Sequence, residues 1–338
     1  MSPIKALCLS GFLLMAGNAF ADKPVDTSSL SYDALLSGYE YDFSVNHFAF
    51  DSQRQSLEMA YIYLKPSAGM PVVTLMHGKN FNADYWTPTA RYLQSLGYGV
   101  LIPDQIGFGK SSKPVDYQYS FAALAKHTHD LMDSLEIKDS IVLGHSMGGM
   151  LASRFALMYP DTTQELILVN PIGLENYLEY EVYKDTNFFY RNELAKTPES
   201  VKRYQQKNYY AGEWNAEYSS LTDFITGQIQ GPDKDTMAWV NAKTYDMIFT
   251  QPVITEFGDF TVPVKLIIGT RDRTAPGRNW KKEDVERELG RYDKLGKHAA
   301  ALIPDSELFE LEGLGHLPQV EDFERFKIAL NKALKMDS

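Results

Sequence analysis

An α/β fold is the architecture this sequence predicts: a mostly parallel sheet flanked by helices, with a mainly helical lid inserted after the sixth strand. Three observations predict it. From residue 72 onward, short apolar runs alternate with amphipathic helical patterns, the order that builds a buried parallel sheet. A glycine-flanked turn, Gly144-His145-Ser146-Met147-Gly148-Gly149, joins one such run directly to a helical pattern. The alternation then stops after Val169 and resumes only near Val264, with an aromatic-rich stretch between.

Taken in order, the chain begins with Lys5, an apolar segment over residues 6–17, and Ala19-Phe20-Ala21. This is the pattern of an export signal over residues 1–21, cleaved after Ala21, and it implies a periplasmic or secreted protein. The apolar segment falls short of the ~20 residues a membrane-crossing helix needs. A retained anchor is the lesser alternative, and no stable membrane insertion is expected once the signal is removed. Cleavage also removes Cys8, the single cysteine, so the mature chain has no disulfide. At 338 residues the chain is long enough for one large domain with an insertion. A net charge of −11 with no basic cluster argues against nucleic acid and leaves a small-molecule substrate as the expected partner. Oligomeric state is not legible from these features.

Residues 22–37 are polar and aperiodic and read as a loosely held lead-in. Two alternating runs, 41–50 and 57–64, flank a polar turn as an antiparallel hairpin should, with His47 on its surface. Six apolar runs follow, at 72–76, 99–102, 140–143, 166–169, 264–268 and 308–311, with helical patterns near 83–96, 120–135, 147–158 and 321–335. Residues 22–175 and 263–338 thus form the core, and residues 176–262 form the lid. An insertion at the carboxyl ends of parallel strands lands over the ligand site. Most of its aromatics are expected to build the lid's own core, and a minority to line a substrate cavity. No metal-ligand cluster appears; His127 and His129 are two apart on a helical pattern and point away from each other.

The turn at Ser146 is the chemical centre of the reading. A strand that reverses abruptly into a helix strains its apex residue and needs small neighbours two before and two after it. A serine there presents its hydroxyl above the sheet. The hydroxyl needs a base, and His316, in the Gly313-Leu314-Gly315-His316 loop after the last strand, opens at the same sheet edge. The base needs an acid, and Asp272 follows the 264–268 strand directly, whereas the preceding strand ends in the uncharged Asn170 with Glu175 as the nearest carboxylate. Two N–H donors for an oxyanion are expected from Met147, after the serine, and Lys79, after the His77-Gly78 turn. His77 orders that loop, and Asn80 could add a side-chain donor or simply stabilise the turn.

The order Ser146, Asp272, His316, with the His77-Gly78 turn, the 103–111 loop and the lid, resembles the α/β-hydrolase superfamily over residues 40–335. Ser146 stands where haloalkane dehalogenases and epoxide hydrolases carry aspartate, which disfavours those chemistries. The pattern is closer to the lidded serine branch, similar to esterases, carbon–carbon bond hydrolases and cofactor-free haloperoxidases. The resemblance implies acyl transfer without metal or organic cofactor, on carboxylic esters with a medium-sized apolar or aromatic group. A carbon–carbon bond hydrolase whose substrate carboxylate is gripped by Arg191 or Arg203 is the alternative. A binding protein on a hydrolase fold is a third reading, disfavoured by the intact triad.

Overall fold

A computed structural model describes residues 29–335; residues 1–21, expected from the sequence to be an export signal, lie outside the described residues, Cys8 among them. Strands β1 (Asn46–Ser52) and β2 (Gln55–Leu64) pair antiparallel across a two-residue turn, Gln53-Arg54, with φ of 49° and 64°. Positive φ at both positions matches the right-handed twist of the flanking strands. The hairpin begins later than the alternation from residue 41 suggests, because the Tyr41 hydroxyl turns away to donate to Asp104 Oδ2 at 2.8 Å.

The core continues as β3 (Val72–Met76), α1 (Thr87–Ser95), β4 (Gly99–Pro103), α2 (Phe121–Ser134), β5 (Ser140–His145), α3 (Met147–Met158) and β6 (Thr163–Val169). The helical insertion follows: α4 (Tyr177–Tyr180), α5 (Thr186–Leu194), α6 (Pro198–Asn208), α7 (Ala216–Ser220), α8 (Asp223–Gln230) and α9 (Lys234–Thr250). The chain then returns as β7 (Val264–Gly269), α10 (Tyr292–Leu302), β8 (Ser306–Leu311), α11 (Pro318–Glu321) and α12 (Phe323–Ala333). Helix α10 has no counterpart in the sequence reading; its Gly296 and run of alanines obscure a helical stripe that packs on β7 and β8.

The eight strands form one sheet in the order β1-β2-β4-β3-β5-β6-β7-β8, parallel from β4 onward across the sheet. Successive strand residues feed opposite faces, as the two-residue period requires. Val142, Leu168 and Leu266 pack with Leu151, Phe155 and Leu295 on one face. On the other, Leu143, Ile167 and Ile267 pack with Leu93, Phe326 and Leu330. The chain leaves β3 for β4 on one side and then crosses to β5 on the other, so β3 and β5 are neighbours whose following loops diverge. That divergence opens a crevice at their carboxyl ends.

The lead-in is not loose from residue 29 onward. Tyr32 N–H donates to Gly227 O at 2.9 Å, Ala34 N–H donates to Asp233 Oδ2 at 2.8 Å, and Leu36 is fully buried. Lys110 Nζ donates to the Leu36 and Tyr39 carbonyls, so the strap ties α8 and α9 to the core loop after β4. Aperiodic polar sequence hid this, because the strap is held by hydrogen bonds of its backbone and one buried side chain, Leu36. No helix among the described residues is long and apolar enough to cross a membrane.

Candidate active site

Ser146 joins β5 to α3 with φ 57° and ψ −123°, a backbone conformation that costs a non-glycine residue roughly 1–3 kcal/mol. Close packing imposes it. A Cβ on Gly148 would lie 2.2 Å from the Met76 carbonyl oxygen, and one on Gly144 would lie 2.2 Å from the Gly148 oxygen. Only glycine at these two positions lets α3 start against the end of β3. The strand-to-helix turn therefore presents the Ser146 hydroxyl at the β3/β5 crevice.

Four adjacent strand ends then supply its neighbours in order. Ser146 follows β5, Asn170 follows β6, Asp272 follows β7, and His316 follows β8. Ser146 Oγ lies 3.0 Å from His316 Nε2, and His316 Nδ1 lies 2.7 Å from Asp272 Oδ2. A carboxylate accepts only, so Nδ1–H donates to Asp272 and Nε2 is left to accept the serine proton. His316 is fully buried and Ser146 is 6% exposed.

The remaining lone pairs of Asp272 are also occupied. Asn170 Nδ2 donates to Oδ2 at 2.9 Å and Thr274 N–H donates to Oδ1 at 2.7 Å. Burial pushes the Asp272 carboxyl up, but the His316 charge and the bonds from His316 and Thr274 outweigh it and leave the group below its ordinary range. Asn170, which cannot itself carry the charge, orients the acid. No local signal could reveal this, because the two residues meet 102 positions apart.

His145, beside the serine, also has a task that the sequence reading did not assign. Its Nε2–H donates to the His316 carbonyl at 2.9 Å, which leaves Nδ1 to accept from the Tyr85 hydroxyl at 3.0 Å. Burial holds the His145 imidazole well below its ordinary range, so it stays neutral and keeps this tautomer. On the other side of the His316 loop, Glu321 accepts from Gly315 N–H at 2.7 Å and pairs with Arg271. The loop is thus fixed from both ends.

Met147 is the first residue of α3, where a backbone N–H has no intrahelical partner. Lys79 follows the His77-Gly78 turn, which packs on the elbow so closely that a Cβ on Gly78 would lie 3.1 Å from Ser146 Cβ. His77 orders this loop: Nδ1–H donates to Gly78 O at 2.9 Å and Nε2 accepts from Gln105 N–H at 3.1 Å. The Lys79 side chain reaches across to α9, donating to Asn241 O at 3.0 Å and Thr244 Oγ1 at 3.2 Å. Burial pushes its amine down to about 7.

The helical insertion covers the site. Tyr209, at the end of α6, stacks on the His316 ring with centroids 4.7 Å apart, and its hydroxyl accepts from Asn80 Nδ2 at 2.9 Å. Asn80 also lines a cavity of about 280 Å³ with Phe189, Val201, Tyr204, Tyr245 and Trp280. Other aromatics of this region, such as Tyr177 and Phe249, are buried in the core. Arg191 and Arg203 are exposed and do not line the cavity. Among the described residues no group of three or more His, Cys, Asp or Glu could hold a metal ion. His127 is buried against the Tyr117 hydroxyl at 2.6 Å, a structural role.

Comparison with known proteins gives a consistent picture. Residues 71–323 match the family described as alpha/beta hydrolase fold. The crystal structure of a "probable hydrolytic enzyme" from Pseudomonas aeruginosa PAO1 superposes with a TM-score of 0.88 at 44% identity, over 90% of this chain and 98% of that one. Lipase 1 of Psychrobacter immobilis is 26% identical over 278 residues, 78% of this chain and 76% of its own. Lipase 3 of a Moraxella species is 25% identical over 296 residues, 81% of this chain and 82% of its own.

Proposed function

The chain belongs to the alpha/beta hydrolase fold family, and we propose that it is an exported serine hydrolase of carboxylic esters carrying a medium-sized apolar or aromatic group. The observation that carries this reading is the continuous hydrogen-bond chain Ser146–His316–Asp272, at 3.0 and 2.7 Å, on a strained elbow. Similarity to two lipases supports the ester bond. The apolar wall of the cavity beside Asn80 supports the apolar group.

The steps follow from the geometry. As Ser146 Oγ attacks the substrate carbonyl, its proton passes to His316 Nε2, and Asp272 stabilises the imidazolium. The carbonyl oxygen, now negative, is received by the N–H groups of Met147 and Lys79. His316 gives its proton to the leaving alcohol, and an acyl-enzyme remains. Water then enters and attacks the ester of Ser146 as it loses a proton to His316; the acid leaves as His316 returns that proton to Ser146 Oγ. No step calls for a metal or an organic cofactor.

The test is Ser146→Ala on a panel of p-nitrophenyl esters from acetate to decanoate. Turnover should fall by about 10⁴-fold or more with the melting temperature unchanged. Equal turnover in the variant would refute the assignment. Labelling of the wild-type protein by a fluorophosphonate, absent in the variant, is an independent check. The export reading is tested by the N-terminal sequence of the secreted protein, which should begin at Asp22.

A further inference from the structure

Resting on the ester-hydrolase reading above, we propose that Gln205 is a specificity residue that recognises a neutral hydrogen-bonding group, such as a hydroxyl or amide, on the apolar portion of the substrate. Gln205 lies on α6 and is 1% exposed, and it lines the cavity described above. Neither Nε2 nor Oε1 has a hydrogen-bond partner. Leaving both ends of a buried amide unpaired is costly, and native structures rarely retain such a group without use for it.

The surroundings narrow the ligand. The charged groups that line the cavity, Glu193 and Lys196, already pair with each other at 2.7 Å. The unmet need is therefore neutral: an amide offers one donor edge and one acceptor, which a hydroxyl or a second amide can answer. The apolar part of the wall, with Phe189, Val201, Tyr245 and Trp280, suits a hydrocarbon or ring carrying that group.

The location ties this amide to catalysis. Gln205 and Tyr209 are four residues apart at the end of α6, and the Tyr209 N–H donates to the Gln205 carbonyl at 2.8 Å. Residues so spaced share a helix face, one turn of about 5.4 Å apart. Tyr209 is the ring stacked on His316, and Asn80 joins its hydroxyl to the cavity wall. A polar group bound at Gln205 is thus held about one helical turn from the residue that covers the catalytic base.

The experiment compares matched substrates in the wild-type protein and in Gln205→Leu. The pairs are p-nitrophenyl 6-hydroxyhexanoate with p-nitrophenyl hexanoate, and 6-hydroxyhexyl acetate with hexyl acetate. In the wild type, one hydroxylated member should be favoured by about tenfold or more in kcat/KM, and in Gln205→Leu the preference should fall to about twofold or less. The melting temperature of the variant should be equal or higher, because a buried unpaired amide has been removed. An unchanged preference in the variant, or a lowered melting temperature with no change in preference, overturns the proposal. Binding of hexane-1,6-diol and hexan-1-ol to Ser146→Ala, measured by calorimetry with and without Gln205→Leu, reads the same site without turnover. If no ester is hydrolysed, the esterase reading fails, and a Gln205-dependent preference for the diol still upholds this site. An equal preference with and without Gln205 refutes it.

Discussion

The polar side chains around the triad at the carboxyl edge of the sheet and two buried polar side chains of the helical insertion above it are held in opposite ways. At the sheet edge, the Asp272 carboxylate has three hydrogen-bond partners, Thr274 N–H, Asn170 and His316, and His145 and His77 each use both ring nitrogens. In the insertion, Gln205 and Glu181 are buried with no partner on either polar side-chain atom. A satisfied network holds one geometry and repeats one reaction. An unsatisfied group is a standing cost unless something else meets it, so the insertion is where selectivity or regulation is to be sought.

The comparison predicts that removing a group at the sheet edge costs function, whereas removing an orphan from the insertion costs nothing or helps. The largest effect is expected from Asp272→Asn. The amide cannot stabilise the imidazolium and reverses the tautomer of His316, so kcat/KM should drop by about 10⁴-fold, in steady-state assays of an active ester. A loss of tenfold or less would mean that another carboxylate serves.

The next effect lies in the insertion and has the opposite sign. Burial pushes the Glu181 carboxyl up to about 8, with Glu175 adding to the shift and Arg278 opposing it. The folded state therefore holds a proton that the unfolded chain releases near 4.5, and stability is full below that pH and declines as pH rises toward 8. Glu181→Gln has no charge to bury. It should match the wild type at pH 4.5 and exceed it by about 5 kcal/mol at most at pH 9 in denaturant melts. Parallel pH dependence in the two proteins would break the contrast between the regions.

A smaller loss is expected from Tyr85→Phe, which leaves His145 Nδ1 without its donor. Stability should fall by about 1–2 kcal/mol. Because His145 holds the His316 carbonyl, kcat should also fall severalfold with KM unchanged, which a purely structural defect would not produce.

Sheet-edge chemistry was legible in the sequence because each participant announces itself locally. An elbow between a strand and a helix marks Ser146, and a strand end marks Asp272 and His316, so the fold, the eight strands and the residues that now touch could be read from short patterns. Partners that meet only through the fold could not. Asn170 on Asp272, His145 on the His316 carbonyl and Tyr209 on the His316 ring are contacts between distant segments with ordinary local sequence. Gln205 was invisible for a different reason: its distinguishing property is the absence of a partner, which only packing reveals.

One consequence follows from the strap at residues 29–37. A Cβ on Gly227 would lie 2.0 Å from the Tyr32 ring, so α8 is shaped around a side chain that comes from nearly two hundred residues earlier. The insertion is contiguous in sequence yet not self-contained. Transplanting it onto another hydrolase scaffold, as modular exchange of selectivity would require, means carrying two separate pieces of chain. A graft of residues 176–262 alone would arrive with the notch that holds Tyr32 unfilled.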